Sequence, residues 1–210
     1  MNTQIKNQFV SFLAVAAILT FSWGIARGDD LNPPPYRGNP LSVNAQWNLV
    51  PGSTILNLTN WSSVDDTDPS TYLYPNFTPT AQIQPNGGIY QLQLPNWVDN
   101  MPLKDMRLQL AWAGTNQVPI NLFSEGLDGV NLIQATITGI SPVIPTSAGF
   151  YQYIDFQFLP NPDFERIHVE LPATNYLTQA VVDTVSTVPE PATIGLLGLG
   201  VLGLLKRRRA

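Results

Sequence analysis

The 210-residue chain is predicted to be all-β, a single antiparallel β-sandwich or jelly roll between two apolar terminal segments. Three observations carry this. Apolar residues recur at every second position, the period of a strand with one buried face. Pairs such as Asp68-Pro69, Asn86-Gly87 and Asp128-Gly129 separate the runs with known turn chemistry. No stretch keeps a clean helical period, and only Pro172–Val181 has room for one helical turn. Many strands joined by short turns give a two-layered β architecture, and a sandwich is preferred to a closed barrel.

The elements follow in order. Residues 27–41 are proline-rich and predicted to be an extended lead-in to a body over 42–187. Val43, Ala45, Trp47 and Leu49 alternate with Ser42, Asn44, Gln46 and Asn48 in the first strand. Pro51-Gly52 turns the chain, and Ser63–Pro85 reads as a long loop or edge excursion. Asn86-Gly87 before Ile89 predicts a tight hairpin turn. Tyr90, Leu92 and Leu94 form one further apolar face. Met106, Leu108, Leu110 and Trp112 form another, and Ile133, Ala135 and Ile137 a third. In Phe150–Phe158 the phase changes from Tyr151 and Tyr153 to Ile154, Phe156 and Phe158, which predicts a bulge near Tyr153. Asn161-Pro162-Asp163 turns the chain into Ile167, Val169 and Leu171, with Arg166, His168 and Glu170 on the opposite face. A last strand, about Thr178–Thr187, leads into the C-terminal tail.

The two ends read as addresses. Lys6, the apolar run Phe9–Phe21 and the small residues Gly24-Ile25-Ala26 make residues 1–26 a secretory signal peptide, cleaved after Ala26. The tail, 188–210, has three parts: Val188-Pro189-Glu190-Pro191, the apolar Ala192–Leu205, and Lys206-Arg207-Arg208-Arg209. The prolines stop the preceding strand. The apolar run is predicted to be a transmembrane helix whose basic end stays cytoplasmic. About 14 residues at 1.5 Å each span roughly 21 Å, short of a hydrocarbon core of about 30 Å, which suits a transient stay better than a permanent anchor.

These three parts in this order resemble the PEP-CTERM sorting signal of exported bacterial proteins. The resemblance is confined mainly to residues 188–210. It implies recognition by an exosortase and removal of the tail at the Pro-Glu-Pro motif. A second, shorter echo is Pro160-Asn161-Pro162-Asp163-Phe164-Glu165-Arg166-Ile167, which is similar to a turn-strand near the end of some PEP-CTERM bodies. The resemblance also implies a host with a secreted polysaccharide layer.

Composition narrows the chemistry. The chain has no cysteine, so thiol catalysis, cysteine metal sites and disulfides are excluded and stability rests on packing. The net charge of −5 understates the acidity of the body. Only Arg37, Lys104, Arg107 and Arg166 are cationic between Gly28 and Val188, whereas of the acidic residues only Glu190 lies in the tail. Nucleic acid is not an expected partner of such a surface.

Four groups are candidates for a site. His168, the single histidine, pairs with Glu170 as a general base in one reading, but no nucleophile elbow accompanies it. Asp65, Asp66 and Asp68 make an oxygen-rich loop that suits calcium, although an Asp-Pro-Ser turn explains them more simply. Asp163 and Glu165 are spaced as a carboxylate pair, with a turn again the simpler reading. Trp47 and Trp112 fall on apolar phases and are assigned to the core. Trp61 and Trp97 lie among Asn, Ser and Asp, and are the candidate sugar-stacking residues, although burial at a sandwich end is the simpler reading. The sequons at Asn57, Asn60 and Asn76 are read as chance. No catalytic residue and no cofactor is assigned. The expected protein is an exported, non-enzymatic surface or matrix protein. It meets signal peptidase, the membrane and exosortase in turn, and then polysaccharide. A carbohydrate-binding module is the alternative, and a glycan-acting hydrolase a more distant one.

Overall fold

The computed structural model describes residues 30–50, 55–74, 77–83, 88–128 and 131–187. The signal peptide, the Pro-Glu-Pro tail with its apolar run and basic end, and the Asn86-Gly87 turn lie outside the described residues. Within them the chain is all-β and contains no helix.

Two antiparallel sheets share one core. The strands are β1 (Ser42–Leu49), β2 (Leu56–Val64), β3 (Tyr72–Tyr74), β4 (Thr80–Ile83), β5 (Ile89–Val98), β6 (Leu103–Ala113) and β7 (Asn121–Asp128). They continue with β8 (Asn131–Gln134), β9 (Thr136–Ile140), β10 (Ile144–Thr146), β11 (Gly149–Phe158), β12 (Phe164–Glu170) and β13 (Tyr176–Thr187). The larger sheet runs β10-β11-β6-β13-β1-β2, with β9 also on β11. The smaller runs β3-β5-β12-β7-β8, with β4 also on β5. Val43, Ala45, Trp47, Met106, Leu108, Leu110, Trp112, Ile154, Phe156, Ala180 and Val182 face the core from the first. Tyr90, Leu92, Leu94, Ile167 and Val169 meet them from the second. The period-two runs of β1, β5, β6 and β12 do what their pattern dictates: one face of each sheet is apolar, and the two apolar faces cover each other. The run Ile133, Ala135 and Ile137 does not form one strand: it is divided between β8 of the smaller sheet and β9 of the larger, and Ile137 is exposed.

Three details differ from expectation. The strand β11 pairs with β6 without a break from Phe150 to Phe158, so there is no bulge near Tyr153 on that side. Its phase change has another cause: Tyr151 faces away from the core yet is buried, because the lead-in segment and Gln109 cover that side of the sheet. Register shifts occur instead between Leu177 and Gln179 on β13, and between Asp155 and Phe156 against β9. The lead-in is turned rather than extended, with Arg37 N–H bonded to Pro34 O (3.1 Å) and Asn39 N–H to Tyr36 O (3.0 Å). Ser63–Pro85 contributes the end of β2 and the short edge strands β3 and β4.

Candidate functional site

Two clusters of polar residues flank the larger sheet, one on each side. On its outer face the lead-in segment is tied down by a charged network. Asp183 on β13 accepts from Arg37 and from Asn44 Nδ2 (2.9 Å). Arg37 Nη2 also donates to Asp30 Oδ1 (3.0 Å). Gln109 Nε2 donates to Asp30 Oδ1 (2.6 Å), and Gln109 Oε1 accepts from Asn32 N–H (2.9 Å) and the Tyr151 hydroxyl (2.7 Å). Beside it, Arg107 holds both oxygens of Asp155 (2.6 and 2.9 Å) and stacks on the Tyr153 ring at 4.3 Å. That bidentate hydrogen bond pushes the Arg107 guanidinium pKa up. Burial, reinforced by Asp183, pushes the Tyr36 phenol pKa up. Every charge in this network has a partner, and it reads as structural adhesion between the lead-in and the sheet.

The second cluster lies between the sheets, at the end where β13 leaves the body. Lys104 on β6 and Glu165 on β12 are both 0% exposed. Lys104 Nζ stands 4.0 Å from Glu165 Oε1, beyond hydrogen-bond reach, and among the described residues neither Glu165 oxygen has a hydrogen-bond partner. The ammonium is directed elsewhere, to Asn96 Oδ1 and to Ser186 Oγ at 2.8 Å. Asn96, also 0% exposed, is held on all sides. Its Oδ1 accepts the Trp97 N–H (2.8 Å), and its Nδ2 donates to Pro162 O and to Asn161 Oδ1 (3.2 Å). Asn161 Nδ2 in turn reaches Asp99 Oδ1 (3.1 Å) and Ser186 Oγ (3.3 Å). Gly126, opposite Glu165 on β7, lets the Pro162 turn approach: a Cβ there would lie 2.4 Å from Pro162 Cβ. Burial pushes Glu165 up to about 8 and Lys104 down to about 8, since each charged form loses its water.

Local sequence explains the cluster. Lys104 is in phase with Met106, Leu108 and Leu110, and Glu165 with Ile167 and Val169. Asn96 is in phase with Leu92 and Leu94, and Ser186 with Val182 and Thr184. Each strand carries its inward polar residue near one end. Polar residues on apolar phases were the available signal, and sequence reading passed over it.

The other candidates resolve differently. Glu165 is turned into the core against Lys104, while Asp163 N–H bonds to Leu127 O (2.7 Å) in the preceding turn. His168 does share a face with Arg166 and Glu170, but its carboxylate partner is Glu125 (Nε2 to Oε1, 3.2 Å) rather than Glu170. Its ring also stacks on Phe123 at 4.3 Å. Arg166 shares Glu125 at 3.2 Å. Asp65, Asp66 and Asp68 each accept a backbone N–H two residues on, from Thr67 (3.3 Å), Asp68 (2.9 Å) and Ser70 (2.9 Å). They form consecutive Asx turns, and the Ser70 bonds lower the Asp68 pKa. No cluster of three or more metal-ligating residues occurs among the described residues. Trp61 on β2 is 37% exposed, but Trp97 is 7% exposed and donates its indole N–H to Ser42 O (3.3 Å). The two do not form a common stacking surface: the indole of Trp97 is committed to the core, as its bonded N–H requires.

The body is thus a two-sheet β domain whose last strand ends at Thr187. Residues 187–209 match the family model of the PEP-CTERM protein-sorting motif. The chain is therefore an exosortase-targeted exported protein, anchored in the membrane before processing. No curated protein and no solved structure matches it.

Proposed function

We propose that the chain is a non-enzymatic surface or matrix protein, delivered by its signal peptide, cut near Pro189-Glu190-Pro191 by exosortase and released into a polysaccharide-rich envelope. One observation carries the reading. The sorting motif begins at the residue where the last core strand ends. Cleavage there removes the membrane segment and leaves all of β13 in its sheet. Association with polysaccharide is supported by exposed Trp61, Tyr72 and Tyr74, Trp61 standing between Asn60 and Ser62 on β2. Flat aromatic rings can cover the apolar face of a sugar while their neighbours take its hydroxyls.

The test is expression of the chain, epitope-tagged in the body, in a host with and without exosortase. The expected product is a shortened species found outside the cell only when the enzyme is present. An intact tail lodged in the membrane in both hosts sinks the reading.

A further inference from the structure

We propose that the folded body closes an intramolecular amide between Lys104 Nζ and Asn96 Cγ, with Glu165 as the proton shuttle and ammonia as the leaving group. The geometry points to this rather than to a simple ion pair. A buried ion pair is tolerated when the charges are close and their remaining lone pairs are bonded. Here the carboxyl group has no hydrogen bond among the described residues, and the amine is aimed at the side-chain carbonyl of Asn96 instead.

Each chemical requirement is met by a named group. The nucleophile must be a neutral amine, and complete burial disfavours the ammonium. The carbonyl must be polarised, and Trp97 N–H donates to Asn96 Oδ1 at 2.8 Å, where negative charge develops. The amide must not rotate away, and Pro162 O and Asn161 Oδ1 hold its nitrogen. A proton must move without water, and Glu165 is the acid–base group facing Nζ, 4.0 Å away with both oxygens unbonded among the described residues, a gap the carboxyl closes as the proton is passed. Burial favours the protonated carboxyl that this role needs.

The step balances without a co-reactant. The Nζ lone pair forms a bond to Cγ as the Glu165 proton passes to Oδ1. The resulting carboxylate takes a proton from Nζ and delivers it to Nδ2. The Cγ–Nδ2 bond then breaks, ammonia leaves, and the Oδ1 proton returns to Glu165. Nothing is oxidised or reduced. The new amide gives Glu165 the hydrogen-bond partner it otherwise lacks. The link joins β5 of one sheet to β6 of the other, beside Ser186 and hence beside the start of the sorting motif. It closes a short ring, so it constrains the unfolded chain little and acts mainly by tying the two sheets together at that end.

The experiment is mass spectrometry of the full chain, purified and denatured, with the Lys104→Met, Asn96→Asp and Glu165→Gln chains measured alongside. The wild-type mass is expected to fall about 17 Da below its sequence value, the mass of ammonia. Chymotrypsin cuts after Trp97, between the two linked residues, and the two resulting peptides should remain joined. Lys104→Met and Glu165→Gln should restore the full mass, with circular dichroism reporting a folded body for Glu165→Gln. Asn96→Asp should lose water, about 18 Da, in place of ammonia. A wild-type chain of unaltered mass with separate peptides overturns the proposal. So does loss of ammonia that persists in Lys104→Met, which assigns it to a succinimide at Asn96.

Discussion

The two polar clusters on opposite sides of the larger sheet use similar residues under different conditions. Outside, Asp183 and Asn44 are buried under the lead-in, but Asp183 is satisfied by Asn44 and by Arg37, which also holds Asp30. Inside, Lys104 and Glu165 sit 4.0 Å apart with the carboxyl oxygens unbonded among the described residues. Where each charge has a close, bonded partner the network is adhesive. In the dry interior an ill-matched pair is driven toward its neutral forms, and a neutral amine beside a polarised carbonyl is a reactive arrangement. The contrast separates polar residues that hold a fold from polar residues positioned to do chemistry.

The largest effect should come from breaking the interior. Lys104→Ala truncates a fully buried side chain and strips Asn96 and Ser186 of their bonded amine, and should cost about 2–5 kcal/mol in urea unfolding. A loss under about 1 kcal/mol, the range of an exposed ion pair, would place the interior cluster on a level with the surface. A smaller effect is expected outside. Asp183→Ala strips Arg37 and Asn44 of their common acceptor and should cost about 1.5–3 kcal/mol. Its neighbour Asp155→Ala, more open to solvent, should cost under about 1 kcal/mol, and less still at high salt. Equal losses would mean that the lead-in does not depend on Asp183.

The finest test of the comparison is pH. The native state holds a proton on Glu165 up to about 8, whereas its ordinary value is 4.5. The unfolded chain binds fewer protons over that range, so this group makes stability fall as pH rises through it. Glu165→Gln should flatten that part of the stability–pH profile. An unchanged slope would show that Glu165 titrates as an ordinary solvated carboxylate.

How far these regions can be read from sequence differs in the same way. The core faces of β1, β5, β6 and β12 were legible because alternation is a local property of a strand, and Trp47, Leu108 and Ile167 lie where their phase put them. Phase alone misled at Tyr151, where burial on the outer face comes from a distant segment. It was also incompletely used at Lys104 and Glu165. A charged residue on an apolar phase looks like an exception until the strand opposite supplies a second one. Trp97 shows the converse: despite its polar neighbours it is buried at the end of the sandwich, the simpler of its two readings, and Asn96 beside it is itself buried.

By itself, the sequence determined the β class, the core phases of β1, β5, β6 and β12 and the sorting motif at 187–209, because periodicity and a contiguous signal are written along the chain. Tertiary structure alone decided that β5, β6, β12 and β13 bring Asn96, Lys104, Glu165 and Ser186 to one dry end of the core. It likewise decided that Arg37 crosses the sheet to Asp183. The reason is physical: the state of a charged group depends on what replaces its water, and those replacements come from strands far apart in sequence.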